Sequence, residues 1–157
     1  MSNKLTLTST AVAKITVERV PDHYRIDFRF LTDLLQADIN CLVMTVTGYG
    51  GGRANINFCV APNEQDKVVE FARNYQHFRS AKVSASDDRV MIRLGCSNIT
   101  GRLSGPAGRI YRALSRHIIY IDMISTTLNA IYVIIPAVSS DKALRVLAEE
   151  FDMIVPA

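Results

Sequence analysis

Ile118-Ile119-Tyr120-Ile121-Asp122-Met123-Ile124-Ser125-Thr126-Thr127-Leu128-Asn129-Ala130-Ile131-Tyr132-Val133-Ile134-Ile135 reads as two apolar, β-branched arms folded back on each other at Thr127-Leu128-Asn129. Branched residues suit a pleated surface, so a β-hairpin is expected. Along the first arm, Ile118 to Thr126, residues Ile119, Ile121, Met123 and Ser125 alternate with Tyr120, Asp122, Ile124 and Thr126, which sends the two sets to opposite faces. One face is expected against helices. The face carrying Tyr120 and Asp122 is then left for solvent, another chain or a ligand.

Working outward, Gly105-Pro106 opens a helix on the N-terminal side of the hairpin, with Ala107, Ile110, Tyr111 and Leu114 as its apolar members; proline in the first helical turn loses no hydrogen bond. Cys96 to Ser104 is a polar loop before it, and Arg89 to Leu94 a strand that follows a turn at Asp87-Asp88. On the other side Ser139 or Ser140 caps a helix bearing Ala143, Leu144, Val146, Leu147 and Phe151, and Met153-Ile154-Val155 makes a closing strand. The order is β-α-β-β-α-β.

The N-terminal half repeats it. Ala13 to Val20 alternates as a strand stopped at Pro21-Asp22, and His23 to about Ala37 carries Ile26, Phe30, Leu31, Leu34 and Leu35 at helical spacing. Cys41 to Thr47 and Arg53 to Val60 are strands joined by Gly48-Tyr49-Gly50-Gly51-Gly52. Asn63 caps a second helix with Val68, Val69, Phe71, Ala72 and Tyr75, and Ser80 to Ser86 returns as a strand. The halves superpose with an offset near 80 at Leu34/Leu114, Ile39/Ile119 and Met44/Ile124, falling to 75 at Asp66-Lys67 against Asp141-Lys142. Loop lengths absorb the difference. The fold expected is α/β of the α+β sandwich kind: two ferredoxin-like βαββαβ domains with antiparallel sheets, residues 10–86 and 87–157, with room for strand exchange between them.

Composition narrows the function. With 157 residues and 48% hydrophobic content the chain can bury two small cores of about 75 residues each. Cys41, Cys59 and Cys96 are odd in number and scattered, so neither a disulfide framework nor a zinc site is indicated, and a cytoplasmic location is expected. No run approaches the roughly 18 apolar residues of a membrane span. A net charge of +3 is too mild to argue for nucleic acid.

Each candidate motif has a plain alternative. The GYGGGR run joins strand to strand, whereas a phosphate loop must pass into a helix, so a hairpin turn is expected there. His23, His77 and His117 lack metal-ligand spacing. Arg109, Arg112 and Arg116 line one side of a helix, as a solvated face or as a surface for an acidic partner. The element order is shared with RNA-recognition motifs, but the strand Arg53 to Val60 offers only Phe58 for base stacking. The loop Arg102-Leu103-Ser104-Gly105-Pro106-Ala107-Gly108 is more informative: small residues and free helix amides suit an amino acid's carboxylate, although an N-cap turn alone would look the same.

The residues resemble a family, the tandem ACT domains at the C-terminus of aspartokinases, including those made as a separate regulatory chain. Its carriers are Ala13 to Val17 with Val20-Pro21-Asp22, the Ala37-Asp38-Ile39-Asn40 turn, Tyr120 to Thr126, and Ala143-Leu144 to Glu150-Phe151. The resemblance implies a homodimer that regulates an aspartokinase catalytic domain or subunit by binding a free amino acid, such as lysine or threonine. It implies no catalytic residue, cofactor or metal, and no nucleic-acid or membrane partner. The effector site it implies joins a strand-helix loop of one domain (Asp22, Arg25, Ile26; Ser104, Gly105, Pro106, Ala107) to strand positions of another (Asn40, Cys41; Tyr120, Ile121, Ser125). Departures are visible. Tyr24-Arg25 replaces the family's Pro-Gly, Val46 stands near an expected Gln, and Tyr120 replaces an Asn. A degenerate-pocket assembly module is therefore the alternative. No kinase signature is found, so this chain alone is not expected to phosphorylate anything.

Overall fold

The computed structural model describes residues 4–22, 26–97, 99 and 105–153, with residues 26–28 described in their backbone only. By contact the chain divides into two units, one of Val12–Asp87 and one that combines the residues up to Ala11 with those from Asp88 onward. Each has its own apolar core.

The first unit holds β1 (Thr6–Pro21) from Val12 on, α1 (Ile26–Gln36), β2 (Val43–Gly50), β3 (Arg53–Val60), α2 (Gln65–Asn74), and β4 (Lys82–Gly95) as far as Asp87. Its strands run in the order β2-β3-β1-β4, with β3 antiparallel to both β1 and β2. Alternation buries Ala13, Ile15 and Val17 of β1 with Ile56 and Phe58 of β3, and the helices add Phe30, Leu34, Val68 and Ala72. The Phe30 ring lies 5.7 Å from Phe58, 5.1 Å from Tyr75 and 4.8 Å from Phe78, centroid to centroid. These rings fill the width beneath α1. Leu31 and Leu35, expected inside, are therefore left 37% and 75% exposed. The expected cap Asn63 instead sits in a 3₁₀ turn, Pro62–Glu64, and α2 starts from Glu64 without a side-chain cap. β2 continues through Gly48 to Gly50, so the hairpin turn narrows to Gly51-Gly52, both at positive φ.

The second unit holds β1's Thr6–Ala11 portion, β4 from Asp88 on, α3 (Pro106–Arg116), β5 (Met123–Thr126), β6 (Ala130–Pro136) and α4 (Ser140–Glu150), with strand order β1-β4-β6-β5. Asp87-Asp88 is not a turn: β4 passes through it as one strand. Both aspartates are solvent-exposed and pay no burial cost, so pairing overrides their turn preference. Met153 lies outside any strand, and residues 154–155 of the expected closing strand fall outside the described residues. Beside β4 the chain places its own N-terminal strand, with Leu7 buried in this unit's core.

The turn at Thr127-Leu128-Asn129 forms as expected, locked by Thr127, whose Oγ1 accepts the Ala130 N–H at 3.0 Å and whose own N–H reaches Ala130 O at 2.8 Å. The first arm is shorter than expected. Ile118 to Asp122 is not strand, because α3 ends on a left-handed Ile118 (φ 58°) that redirects the chain. The alternation changes phase there. Ile119 and Ile121 pack on the core, but from β5 on Ile124 does so and Met123 and Ser125 take the opposite face of the sheet.

Candidate functional site

The strand-helix loops and the segments that follow each helix carry the expected effector residues. In the first unit Asp22 is exposed and donates its backbone N–H to Gly52 O at 2.8 Å. A Cβ on Gly48 would come within 2.9 Å of the Asp22 carboxylate, so glycine at the end of β2 is what lets that carboxylate lie against the strand. The glycine-rich end of β2 thus lies against Asp22. No motif spacing links 22 with 48. Arg25 lies outside the described residues, and Ile26 opens α1. Asn40 is exposed beyond the other end of α1, and Cys41 donates its thiol to Val43 O at 3.6 Å. Burial pushes the Cys41 thiol up to about 11, against a smaller opposing effect of that hydrogen bond, so it is no nucleophile at neutral pH.

In the second unit Ser104 lies outside the described residues. Gly105 forms the left-handed N-cap of α3 at φ 56°, Pro106 is buried and Ala107 half-buried. Tyr120 is 69% exposed, Ile121 is half-buried on the core, and Ser125 sits on β5 opposite Tyr132. Asp122, next to them, is held: its N–H reaches Ile134 O at 2.9 Å and its carboxylate takes the Arg89 Nε–H at 2.5 Å, with only 8% of the side chain exposed.

In each unit a helix stands between the loop positions and the segment that follows it. Gly105 to Ala107 begin α3 and Tyr120-Ile121 follow its end; Asp22 and Ile26 stand in the same relation to Asn40-Cys41 across α1. Each helix has 11 residues, which at 1.5 Å per residue separates the two sets by about 16 Å.

The arginines of α3 divide between the two readings. Arg109 donates from Nε to Glu150 Oε1 at 2.8 Å, also reaches Glu150 O, and lies 4.4 Å above the Phe151 ring centroid. Arg112 reaches the same carboxylate at 3.2 Å, and Arg116 is exposed. The acidic partner of two of them is the chain's own α4. The hydrogen bond from Arg109, with further help from its charge and from Arg112, holds the Glu150 carboxyl below its usual range against a smaller effect of burial. Among the described residues no group of three or more His, Cys, Asp or Glu could hold a metal ion, and no helix is long and apolar enough to cross a membrane.

Residues 101–151 match the family described as ACT domain. Over 146 residues the chain is 26% identical to an aspartate kinase of Pseudomonas fluorescens (strain SBW25), covering 92% of this chain and 35% of that protein. It therefore spans about a third of the length of this relative. Among solved structures it superposes on a chain of the aspartokinase alpha and beta subunits with a TM-score of 0.84 at 23% identity, covering 94% of this chain and 97% of that one. The ligand-free regulatory subunit of aspartate kinase from Thermus thermophilus gives 0.81 at 21% identity, covering 94% and 96%. The two structural likenesses establish the fold. The resemblance to aspartokinase ACT domains, first drawn from Tyr120 to Thr126 and the segments around it, is met in sequence and in structure alike.

Proposed function

We propose, from an ACT match over residues 101–151 on a fold shared with aspartokinase regulatory chains, that this protein is an amino-acid-responsive regulatory module of an aspartokinase-type enzyme in the cytoplasm and carries no catalysis itself. The single observation that carries the reading is the coverage. Nearly the whole chain superposes on nearly the whole of a regulatory subunit, which supports reading its two units together as one regulatory device. The effector, lysine, threonine or another amino acid, would be held by Asp22, Arg25 and Ile26 or by Ser104 to Ala107 from one unit, facing Asn40-Cys41 or Tyr120, Ile121 and Ser125 of another. The separation of about 16 Å along α1 and α3 supports a site shared between units. A ligand acts on the attached enzyme only by preferring one arrangement of those units, and shifts it by at most that preference.

Calorimetric titration of the full chain with each of the twenty amino acids tests this. Saturable heat with one or a few is expected; no heat with any overturns the regulatory reading. The alternative, an assembly module that has lost its pocket, draws on the replacement of the family's small loop residues by Tyr24-Arg25 and of Asn by Tyr120. It predicts that Tyr120→Asn weakens assembly without creating ligand binding.

A further inference from the structure

On β4, Val90, Ile92 and Leu94 face the core of the second unit, which turns Arg89, Met91, Arg93 and Gly95 to the opposite face of the sheet. The two arginines there differ in kind. Arg89 is neutralised by Asp122 and Asp88, each at 2.5 Å. Arg93 has no carboxylate within ion-pair distance among the described residues. Among the described residues its one side-chain hydrogen bond runs from Nη1 to Thr6 Oγ1 at 3.3 Å, and Thr6 in turn donates to Gly95 O at 3.1 Å. A guanidinium has five N–H donors, so most of those on Arg93 are unmet by the described residues.

The side chain is nevertheless positioned. Its Nη1, Cζ and Nη2 atoms lie 2.5, 2.6 and 2.7 Å from where a Cβ on Gly95 would be, so glycine two residues along the strand is the bed on which the guanidinium lies flat. Register sets Tyr132 beside Arg93 and Ser125 beside Tyr132 on the same face, cross-strand neighbours about 5 Å apart. Neither hydroxyl has a hydrogen-bond partner among the described residues. The corresponding row of the first unit is Thr16-Asn57-Thr45, which carries no charge and has Thr16 Oγ1 donating to Asn57 Oδ1 at 2.9 Å. The two rows thus differ: one is uncharged, and the other holds a cation with no carboxylate partner among the described residues, flanked by two hydroxyls.

The geometry points to a carboxylate-binding site on the helix-free face of the second unit, with the Arg93 guanidinium as the fork that takes both oxygens, Gly95 as its bed, and the Tyr132 and Ser125 hydroxyls as further donors. One positive charge matches one carboxylate. That carboxylate comes from a small organic acid or from an Asp or Glu side chain of a second copy, and the site stands whether or not the chain responds to amino acids.

The test follows the Arg93 Nε–H and the Tyr132 ring of the full chain by NMR while sodium acetate, then sodium succinate, is added at constant ionic strength, with sodium chloride as control. Neither acid has an amino group, which separates this site from an amino-acid effector site. Saturable movement with carboxylate and not with chloride is expected, weakened about tenfold or more in Arg93→Gln and less in Arg93→Lys. Gly95→Ala keeps the charge but lifts it from its bed, and should weaken binding with the fold intact. If the free acids move nothing yet both Arg93→Gln and Gly95→Ala shift the chain to smaller assemblies, the second copy supplies the carboxylate. An equal response to chloride, unchanged binding in Gly95→Ala, or neither acid binding nor a change of assembly overturns the site.

Discussion

The ammonium of Lys142 donates to the carbonyl of His117 at 2.8 Å, closing the C-terminal end of α3 from the start of α4. Lys67 does the same to Asp38 O at 3.2 Å at the end of α1. The pairs are related by the two offsets of the internal repeat, 75 for the lysines and near 80 for the helix ends, so duplication preserved a cation at a helix's negative end. Lys142→Met is expected to lower stability by less than about 1 kcal/mol, since both groups are exposed, with the loss fading as salt is added. Urea unfolding at low and high ionic strength measures it.

The residue after His117 is under strain. α1 and α3 both end in a Schellman motif: Ile39 N–H bonds Leu34 O and Asp38 N–H bonds Leu35 O, as Ile119 bonds Leu114 O and Ile118 bonds Ser115 O. The motif needs a left-handed residue, which is Asp38 at φ 55° in one unit and Ile118 at φ 58° in the other. An aspartate tolerates that region, but a β-branched isoleucine does not. Ile118 is 95% exposed and has little packing to lose. Ile118→Asn should therefore stabilise the chain by about 1 kcal/mol, seen as a higher urea midpoint at unchanged slope.

That same left-handed residue marks where the sequence stops being legible. The β-α-β-β-α order of each half, the turn at Thr127 to Asn129, strand Arg53 to Val60 and the duplicated offset could all be read, because each rests on periodicity or turn chemistry within a short window. The phase change between Ile121 and Ile124 could not, since nothing in Ile118 announces a backbone conformation that isoleucine avoids. The N-terminal strand was hidden for another reason. Leu5 and Leu7 alternate with Thr6 and Thr8, but only pairing with residues near position 95 makes that alternation a strand of the second unit. Around the candidate site, the Gly48 contact with Asp22 and the Arg89 contact with Asp122 join residues too far apart for any local pattern.

Arg89 and Asp122 supply a third prediction. Their side chains are 18% and 8% exposed, so Asp122→Ala leaves a largely buried guanidinium with only Asp88 as partner. The expected cost is about 2–4 kcal/mol. Asp88 is mostly exposed, and Asp88→Ala should cost no more than about 0.5 kcal/mol. Equal losses from the two would mean that Arg89 is held by the sum of its partners rather than by the buried one.

Acid stability should depend on the clamp between α3 and α4. The Glu150 carboxyl is held below its ordinary range chiefly by the Arg109 hydrogen bond. A group whose folded pKa is depressed contributes its stability fully above the unfolded value, about 4.3 for Glu, and loses it as pH falls through the folded value. Native protein should thus lose stability below about pH 5 in part through Glu150. Glu150→Gln should be less stable at pH 7 and show a flatter acid limb, in unfolding midpoints collected between pH 7 and pH 3.

The last prediction concerns assembly. β2 ends the strand order of the first unit at one edge, with unpaired backbone groups that invite another strand. The same unit exposes Leu31 and Leu35 on α1, and Leu42 and Val46 at or near β2, so apolar side chains are left uncovered in the unit that carries the open edge. The corresponding edge of the second unit is β5, the organising hairpin's first strand, preceded by exposed Tyr120. Pairing of such edges between chains would satisfy the backbone, cover the leucines and bring loop and strand halves of the effector site within reach of each other. Binding and dimerisation would then be linked, each strengthening the other. Sedimentation over about a hundredfold dilution, with and without the preferred amino acid, should show a dimer that the ligand protects from dissociation. Leu35→Lys should shift that equilibrium toward monomer while leaving the fold of each unit intact, because Leu35 contributes little to its own core. A chain that is monomeric at every concentration and still binds the amino acid would place the whole site within one chain and remove the edge pairing from the mechanism.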